Sequence, residues 1–389
     1  MRKLITLNKI ENLTPINGAD RIETAKIKGW NIIVQKGLHK VGDWVTFFEI
    51  DSFIPKGLEP FAKDLEPRGI RKSQLETGEI IEGYKIGSLK LRGVISQGYI
   101  VPFSSYNEEQ QAYFNSNLKD DFDLTKYIGI YKFEKPETGS ERQQRLQSIP
   151  KTRFGLFLYK AKKWMKKTFP SLFKKTSGLF PNYLHRSECQ RIQNYSNEMY
   201  EHWLNDTLFQ VSVKFDGSSI SIYKKNKLKG VCSREKNKNL KEITDQFVHE
   251  GLIIHNKLKE CKETNWCLQG ELIGPKIQGN FEGVNFPEVY IYSIWDIAKQ
   301  QYLNPAEVVD FCFKWKLKHV PIIHKEITLK QLFPNIKNAN ELVVAMLAYA
   351  EGPSGLNGKY REGLVYKQLT DGYKSVKTIS NSYLIKNDG

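Results

Sequence analysis

Cysteine is scarce. The five thiols (Cys189, Cys232, Cys261, Cys267 and Cys312) are odd in number, widely spaced, and form neither a C-x-x-C pair nor a zinc-ligand pattern. That spacing excludes a disulfide scaffold and a structural zinc site, and it reads as reduced intracellular thiols. The seven histidines are equally scattered, and His249 and His255 stand too far apart for an i, i+4 zinc pair, so no metal role is assigned to them. No apolar run approaches the roughly 20 residues needed to span a bilayer. Met1-Arg2-Lys3-Leu4-Ile5-Thr6 runs straight into a strand pattern without a signal-peptide core. The expectation is a soluble cytoplasmic protein with no membrane span. Acidic residues are in deficit, 43 against 59 Lys plus Arg, for a net charge of +16. That excess favours a polyanionic partner, nucleic acid or an anionic membrane surface, and charge alone does not choose between them.

At 389 residues the chain has length for two domains and a connector, with no internal repeat or long low-complexity segment. Residues 1 to about 103 read as short strands with turn punctuation. Ile27 to Val34 and Trp44 to Ile50 are rich in β-formers, Val41-Gly42-Asp43 supplies a turn, and Tyr99 to Pro102 closes another strand. Strands this short at this spacing suggest a small barrel. Residues 104 to about 150 are polar and of mixed charge, with a strand-like piece at Tyr127 to Tyr131 and linker composition from Glu137 to Gln147. From Lys151 to Lys175 there are nine basic residues and no acidic one, with Phe154, Phe157, Leu158, Ala161, Trp164 and Met165 at helical spacing. This basic amphipathic helix has three readings: packing on the next domain with its lysines in solvent, binding RNA phosphates, or lying on an acidic membrane.

The second half centres on Val211-Ser212-Val213-Lys214-Phe215-Asp216-Gly217-Ser218-Ser219-Ile220-Ser221-Ile222. Apolar residues alternate on both sides of Lys214, the period of two half-buried strands joined by an Asp-Gly turn. A lysine at such a strand end is held still and partly desolvated, and both effects favour the neutral amine of a nucleophile. Ahead of it, Ser187 with Gln190 in a capping-box arrangement predicts a helix start. Beyond it, the pattern predicts a helix from Asn239 to about Cys261, strands over 266–272 and 289–297, and a helix opening at Asn304-Pro305-Ala306-Glu307. A helix over about 339–351 and strands over 363–367 and 375–379 complete the reading.

Lys214-Phe215-Asp216-Gly217-Ser218-Ser219 resembles motif I of the covalent nucleotidyltransferases, the superfamily of polynucleotide ligases and capping enzymes. After it come Ser233-Arg234-Glu235, Gly270-Glu271-Leu272, Tyr292-Ser293-Ile294-Trp295-Asp296, Glu362-Gly363-Leu364-Val365 and Val376-Lys377. In type and order these are similar to the family's motifs Ia, III, IIIa, IV and V. Gly18 to Glu23, the Gly42-Asp43 turn and Leu91 to Gly98 resemble the N-terminal OB domain of one RNA ligase branch. Arg191-Ile192-Gln193-Asn194 and Gly274 to Asn280 add to that likeness. DNA ligases and capping enzymes carry their OB module after the catalytic domain, so this order points to RNA ligase. The resemblance implies an α+β protein: an OB-like β-barrel, then a nucleotidyltransferase domain of antiparallel sheets flanked by helices. The boundaries expected are 1–135 for the OB-like RNA-binding domain with its extension, 136–180 for the linker and basic helix, and 181–389 for the catalytic domain.

The implied reaction has three steps: adenylylation of the enzyme by ATP, transfer of the adenylate to an RNA 5′-phosphate, and attack by a 3′-hydroxyl with release of AMP, as at a nick in a duplex. Lys214 is the implied nucleophile, its pKa lowered by Lys377 and a bound cation. Asp216, Glu271 and Glu362 are the implied oxygen ligands for Mg2+ or Mn2+. Arg234 is to hold ribose or phosphate through its planar fork, and Trp295 either stacks on adenine or belongs to the core. Lys367 and Lys377 are candidates for the α-phosphate, Lys377 the better match. Val213 and Gly217 complete the nucleotide pocket, and Arg191 is preferred over Arg186 as the arginine that reaches it. Trp30, Trp44 and Phe47 either grip RNA by stacking or fill the barrel. A monomer is expected. Two alternatives stand beside the ligase: a GTP-dependent capping guanylyltransferase and a non-catalytic OB-fold RNA-binding protein.

Overall fold

The computed structural model describes residues 3–75, 79–134, 136, 178–186, 189–234, 236–358, 360–372 and 374–388. The basic helix expected over 151–175 and the capping box at Ser187 lie outside them. The chain divides into two compact units, Met1–Lys174 with Leu384–Gly389, and Lys175–Tyr383. No helix among the described residues is long and apolar enough to cross a membrane.

The first unit is built from short antiparallel strands. Ile5–Lys9 lies between Trp44–Phe48 and Phe122–Asp123, and Trp44–Phe48 pairs on its other edge with Tyr99–Pro102. Asn12–Pro15, Ile22–Ile27 and Trp30–Gln35 form a meander. A further sheet runs Tyr131–Lys132, Ser52–Pro55, Ile80–Lys85, Arg71–Gln74. Alternate residues turn inward, as a sheet with one wet face requires, and Ile5, Leu7, Phe48, Phe61, Tyr106 and Phe114 share one core. Trp30 and Phe47 are buried with ring centroids 5.8 Å apart, so both fill the interior. Trp44 is half-buried, with the Lys9 ammonium 5.0 Å from its ring centroid. The piece read as a strand at Tyr127 is a helical turn, Thr125–Ile128, stopped by Gly129 at φ 81°, and only Tyr131–Lys132 is extended.

The second unit carries two sheets. Label its main strands β1 (Leu208–Lys214), β2 (Ser218–Lys225), β3 (Leu228–Ser233), β4 (Asn265–Ile273), β5 (Glu288–Asp296), β6 (Ile322–Thr328), β7 (Gly363–Gln368) and β8 (Ser375–Ile379). One sheet runs Gly178–Leu179, Lys236–Asn237, β3, β2, β4, β5, Gln301–Tyr302, with Lys318–His319 parallel to β5. The other runs Gln190–Arg191, β8, β7, β1, β6. Helices α1 (Ser196–Leu204), α2 (Gln246–Lys257), α3 (Pro305–Lys314) and α4 (Ala339–Tyr349) cover one face of each sheet. Ile220, Ile222, Leu268, Leu272 and Ile291 meet Ile254 of α2 and Val308 of α3. Val211, Leu364, Tyr366 and Val376 meet Met199 of α1 and Leu342 and Met346 of α4. By the period of two, the residues between these face the other way and line a cleft.

Two boundaries moved for local reasons. The helix expected from Asn239 starts at Gln246, because the Asp245 carboxylate caps it by accepting the Phe247 and Val248 N–H groups at 2.9 and 3.3 Å. The helix expected to carry Arg191 starts at Ser196 instead. Gln190 and Arg191 are extended and pair in parallel with Val376 and Lys377, a long-range contact invisible to local periodicity. The start of α3 is as read: Pro305 at the first position, and a capping box between Asn304 and Glu307.

Candidate active site

The strands flanking Lys214 are not a hairpin. β1 belongs to one sheet and β2 to the other, so Phe215-Asp216-Gly217 is the crossing between them. Val213 and Phe215 turn into a small apolar cluster with Ile273, Val284, Tyr290 and Val320, which leaves the Lys214 side chain in the cleft. Gly217 makes the crossing possible. A Cβ there would lie 2.5 Å from the Leu272 carbonyl oxygen and 2.9 Å from Cγ of Glu271, so any other residue would push β4 away.

Lys214 pairs in register with Gly363 on β7, and this brings the preceding residue, Glu362, to its side chain. The Lys214 Nζ donates to Glu362 Oε2 at 2.6 Å. Glu362 is buried and its backbone oxygen accepts the Ser380 N–H at 2.8 Å. Glu271 reaches the same place from β4, paired with Ser219 of β2. Burial opposes the charge on Lys214, but Glu362, Glu271 and Asp216 together outweigh burial and hold its pKa above the ordinary lysine range. The expected lowering is for a site with a cation bound; without one, the carboxylates set the direction. Lys377 lies two strands away, on β8 beyond β7, and the carboxylates dominate. Burial, with Glu362 and Asp216 adding repulsion and Lys214 opposing, pushes Glu271 up to about 8.

The other expected residues separate. Lys377 pairs with Val365 on one side and Arg191 on the other, which puts Arg191 on the cleft sheet; Arg186 packs instead over the Phe180 ring at 4.9 Å. Arg234 is exposed and within electrostatic reach of Glu271. Lys367 is buried and bridges the two sheets, its Nζ donating to the Tyr292 carbonyl at 2.5 Å and to Ser293 Oγ at 2.8 Å. Burial pulls its pKa down to about 8, against the opposing influence of Cys189. A side chain spent on that bridge leaves Lys377 the stronger candidate for a phosphate. Trp295 packs in a separate aromatic group, edge-on to Tyr302 at 4.9 Å, with its indole N–H donated to the Tyr183 carbonyl at 3.2 Å. It lines a polar cavity of about 510 Å³ together with His185, Tyr302 and Asp371.

Two residues at the site were not singled out in the sequence. Tyr292 is the extra residue of a bulge opposite Gln269 and Gly270, and its hydroxyl lies 3.3 Å from Ser219 Oγ, beside Glu271's partner. Trp295 itself pairs with Cys267, three residues along the strand from Tyr292. Glu282, in the loop after β4, is completely buried and accepts the Asp216 N–H at 3.4 Å. The turn-rich run Gly274 to Gly283 was the available signal.

Among the described residues, no group of three His, Cys, Asp or Glu stands ready to hold a metal ion. Glu362 touches the Lys214 amine, and Glu271 and Asp216 lie within electrostatic reach of it, so carboxylates of the kind a hard cation takes stand near a charge they help to hold. A nucleophilic Lys214 must give up that charge, and a hard cation with oxygen ligands is what would replace it.

Residues 4–103 match a family described as an OB-fold domain, and residues 207–379 match the family described as RNA ligase. The two in this order define the class: a ligase with an OB-fold unit ahead of its catalytic unit. Comparison with curated proteins finds no match. Solved structures are similar over the whole length. An Asp-to-Ala variant of the Naegleria gruberi RNA ligase in its apo form is 30% identical, with a TM-score of 0.78 over 100% of this chain and 98% of that one. A Glu-to-Ala variant with AMP and Mn is 30% identical, TM-score 0.77, over 100% and 99%. A Lys-to-Ala variant with ATP and Mn is 30% identical, TM-score 0.76, over 99% of each. The chain belongs to the RNA ligase family.

Proposed function

We propose that this RNA ligase seals 3′-hydroxyl and 5′-phosphate ends, at nicks in duplexes, through a lysyl-AMP formed on Lys214. ATP and a divalent cation, Mg2+ or Mn2+, are its cofactors, as in the Naegleria structures with ATP and Mn. The observation that carries the reading is the Lys214 amine 2.6 Å from Glu362 in a cleft shared with Glu271 and Asp216. A surface lysine has no use for three converging acids.

In the first step a neutral Lys214 Nζ attacks the α-phosphorus, the N–P bond forms, the α–β bridging P–O bond breaks, and pyrophosphate leaves. Glu362 is placed to hold the Nζ proton as it departs. Asp216, Glu271 and Glu362 would hold the divalent cation, which would supply the positive charge that the carboxylates and the triphosphate need once Lys214 is neutral. Lys377 and Arg191, adjacent across the second sheet, are the basic groups for the α-phosphate, and Arg234 serves ribose or phosphate. Val213 and Gly217 shape the floor beneath Lys214, and Tyr292 offers an aromatic face on that side. The OB-fold unit, within 1–135, takes the RNA. In the later steps the adenylate passes to the 5′-phosphate, and the 3′-hydroxyl displaces AMP.

Incubation with α-labelled ATP and Mn2+ is expected to give an acid-labile covalent adduct, absent in Lys214→Ala. Full labelling of that variant would discard the nucleophile. Nicked duplexes with RNA or DNA on each side of the break then test the substrate.

A further inference from the structure

We infer that Glu282 is a positioning residue for the adenylylation step, one that holds the Lys214-to-Gly217 crossing and so aims Asp216 into the cleft. The inference deepens the proposed function and rests on it. Glu282 is fully buried, and a buried carboxylate is costly unless its oxygens are matched. Its two oxygens are divided between two segments. Oε1 accepts the Asp216 backbone N–H at 3.4 Å, and Oε2 accepts the Ser354 hydroxyl at 2.6 Å. The Ser354 oxygen in turn accepts the Leu356 N–H at 3.1 Å. One side chain therefore ties the nucleophile's turn to the segment leading into Glu362.

The loop that presents Glu282 is built for the purpose. Lys276, Gln278 and Asn280 all adopt positive φ (68°, 43° and 54°), as do Gly279 and Gly283. Backbone held this way persists where its surroundings over-determine it. Asn280 supplies part of that support: its Nδ2 donates to the Val284 carbonyl at 2.9 Å, and its Oδ1 accepts the Val284 N–H at 3.2 Å. Asn357 Nδ2 donates to the Gly283 carbonyl at 3.3 Å. If the loop served stability alone, an apolar side chain would fill the space better. Here it places an acid within electrostatic reach of two others, Glu362 and Asp216. Like charges in a buried site oppose folding, so the gain lies in where the Asp216 turn is held.

The test uses the full chain with Glu282→Ala, Glu282→Gln and Ser354→Ala. Two quantities are read: the single-turnover rate of labelling by α-labelled ATP across a Mn2+ titration, and the sealing of a nick already carrying 5′-adenylate, which bypasses labelling. Glu282→Ala is expected to slow labelling about 10- to 100-fold, the scale for a small misplacement of reacting groups, and to raise the Mn2+ midpoint. Glu282→Gln keeps an oxygen for the Asp216 N–H and is expected within about threefold of wild type, as an intact acceptor preserves the contact. Should Glu282→Ala not fold, Ser354→Ala carries the test and is expected to show the same higher midpoint with a smaller loss of rate. Wild-type labelling rate and midpoint in Glu282→Ala, or in Ser354→Ala in its place, would overturn the inference. So would a loss of active fraction with rate and midpoint unchanged, or damage in Glu282→Gln equal to that in Glu282→Ala. If wild type itself takes no label, the Lys214 reading fails and takes this inference with it.

Discussion

The carboxylates around Lys214 favour its charged form, and a nucleophile has to be neutral. In the proposed reaction the carboxylates that favour its proton are also the ones that would bind the cation, so metal binding would favour the neutral amine. Glu271 makes this measurable. Its pKa rises from an ordinary 4.5 to about 8, so the folded protein binds that proton more tightly than the unfolded chain does. The contribution is fully present below about pH 4.5 and is lost as pH rises toward 8. Thermal melts of the metal-free protein should therefore lose stability across that window, and Glu271→Gln should flatten the loss. Because a bound cation competes with that proton, Mn2+ should raise the melting temperature more at pH 8 than at pH 5.5. The Lys214–Glu362 pair has the same sign in a higher window: a raised lysine stabilises throughout the neutral range, and its contribution is lost only in strongly alkaline solution.

At the level of elements, the site depends on how closely strands pass. A Cβ at Gly217 would meet the backbone of β4, so Gly217→Ala should cost about 1–3 kcal/mol in denaturant unfolding, the scale of overpacking a tight site, and should slow labelling of Lys214. Arg361 is the strap behind β7. It is buried, and its guanidinium donates to the carbonyls of Tyr349, Ala350 and Glu351 at the end of α4, next to Glu362. Replacing it by Met leaves those carbonyls without their charged donor, and a loss of about 2–4 kcal/mol is expected by chemical denaturation, the scale for unsatisfied buried groups with charged partners. β4, β5, β7 and β8 were readable to within a residue, whereas β3 and β6 were not read as strands. The Gln190–Arg191 strand and the bulge at Tyr292 were not readable either, since both arise from pairing with residues far away in sequence.

Over the whole molecule, a net charge of +16 and an RNA ligase fold imply binding with a large electrostatic share. The logarithm of RNA affinity should fall linearly with the logarithm of salt concentration, while labelling by ATP alone should respond far less. A flat RNA titration would assign the excess charge to another partner.

The residue types of the site and their order were legible from the chain alone, because motif spacing and strand alternation are local properties. Strand alternation placed Lys214 at a strand end, and the resemblance to the nucleotidyltransferase motifs named Glu271, Glu362 and Lys377 and the order of OB-fold and catalytic units. Tertiary structure decided the rest. It split the two strands around Lys214 between two sheets, tied Lys367 into a bridge, withdrew Trp295 into its own cluster and drew Glu282 under the crossing. It also set the direction of the Lys214 shift in the metal-free protein, since a charge responds to its distance from other charges, and that distance exists only once the strands have packed.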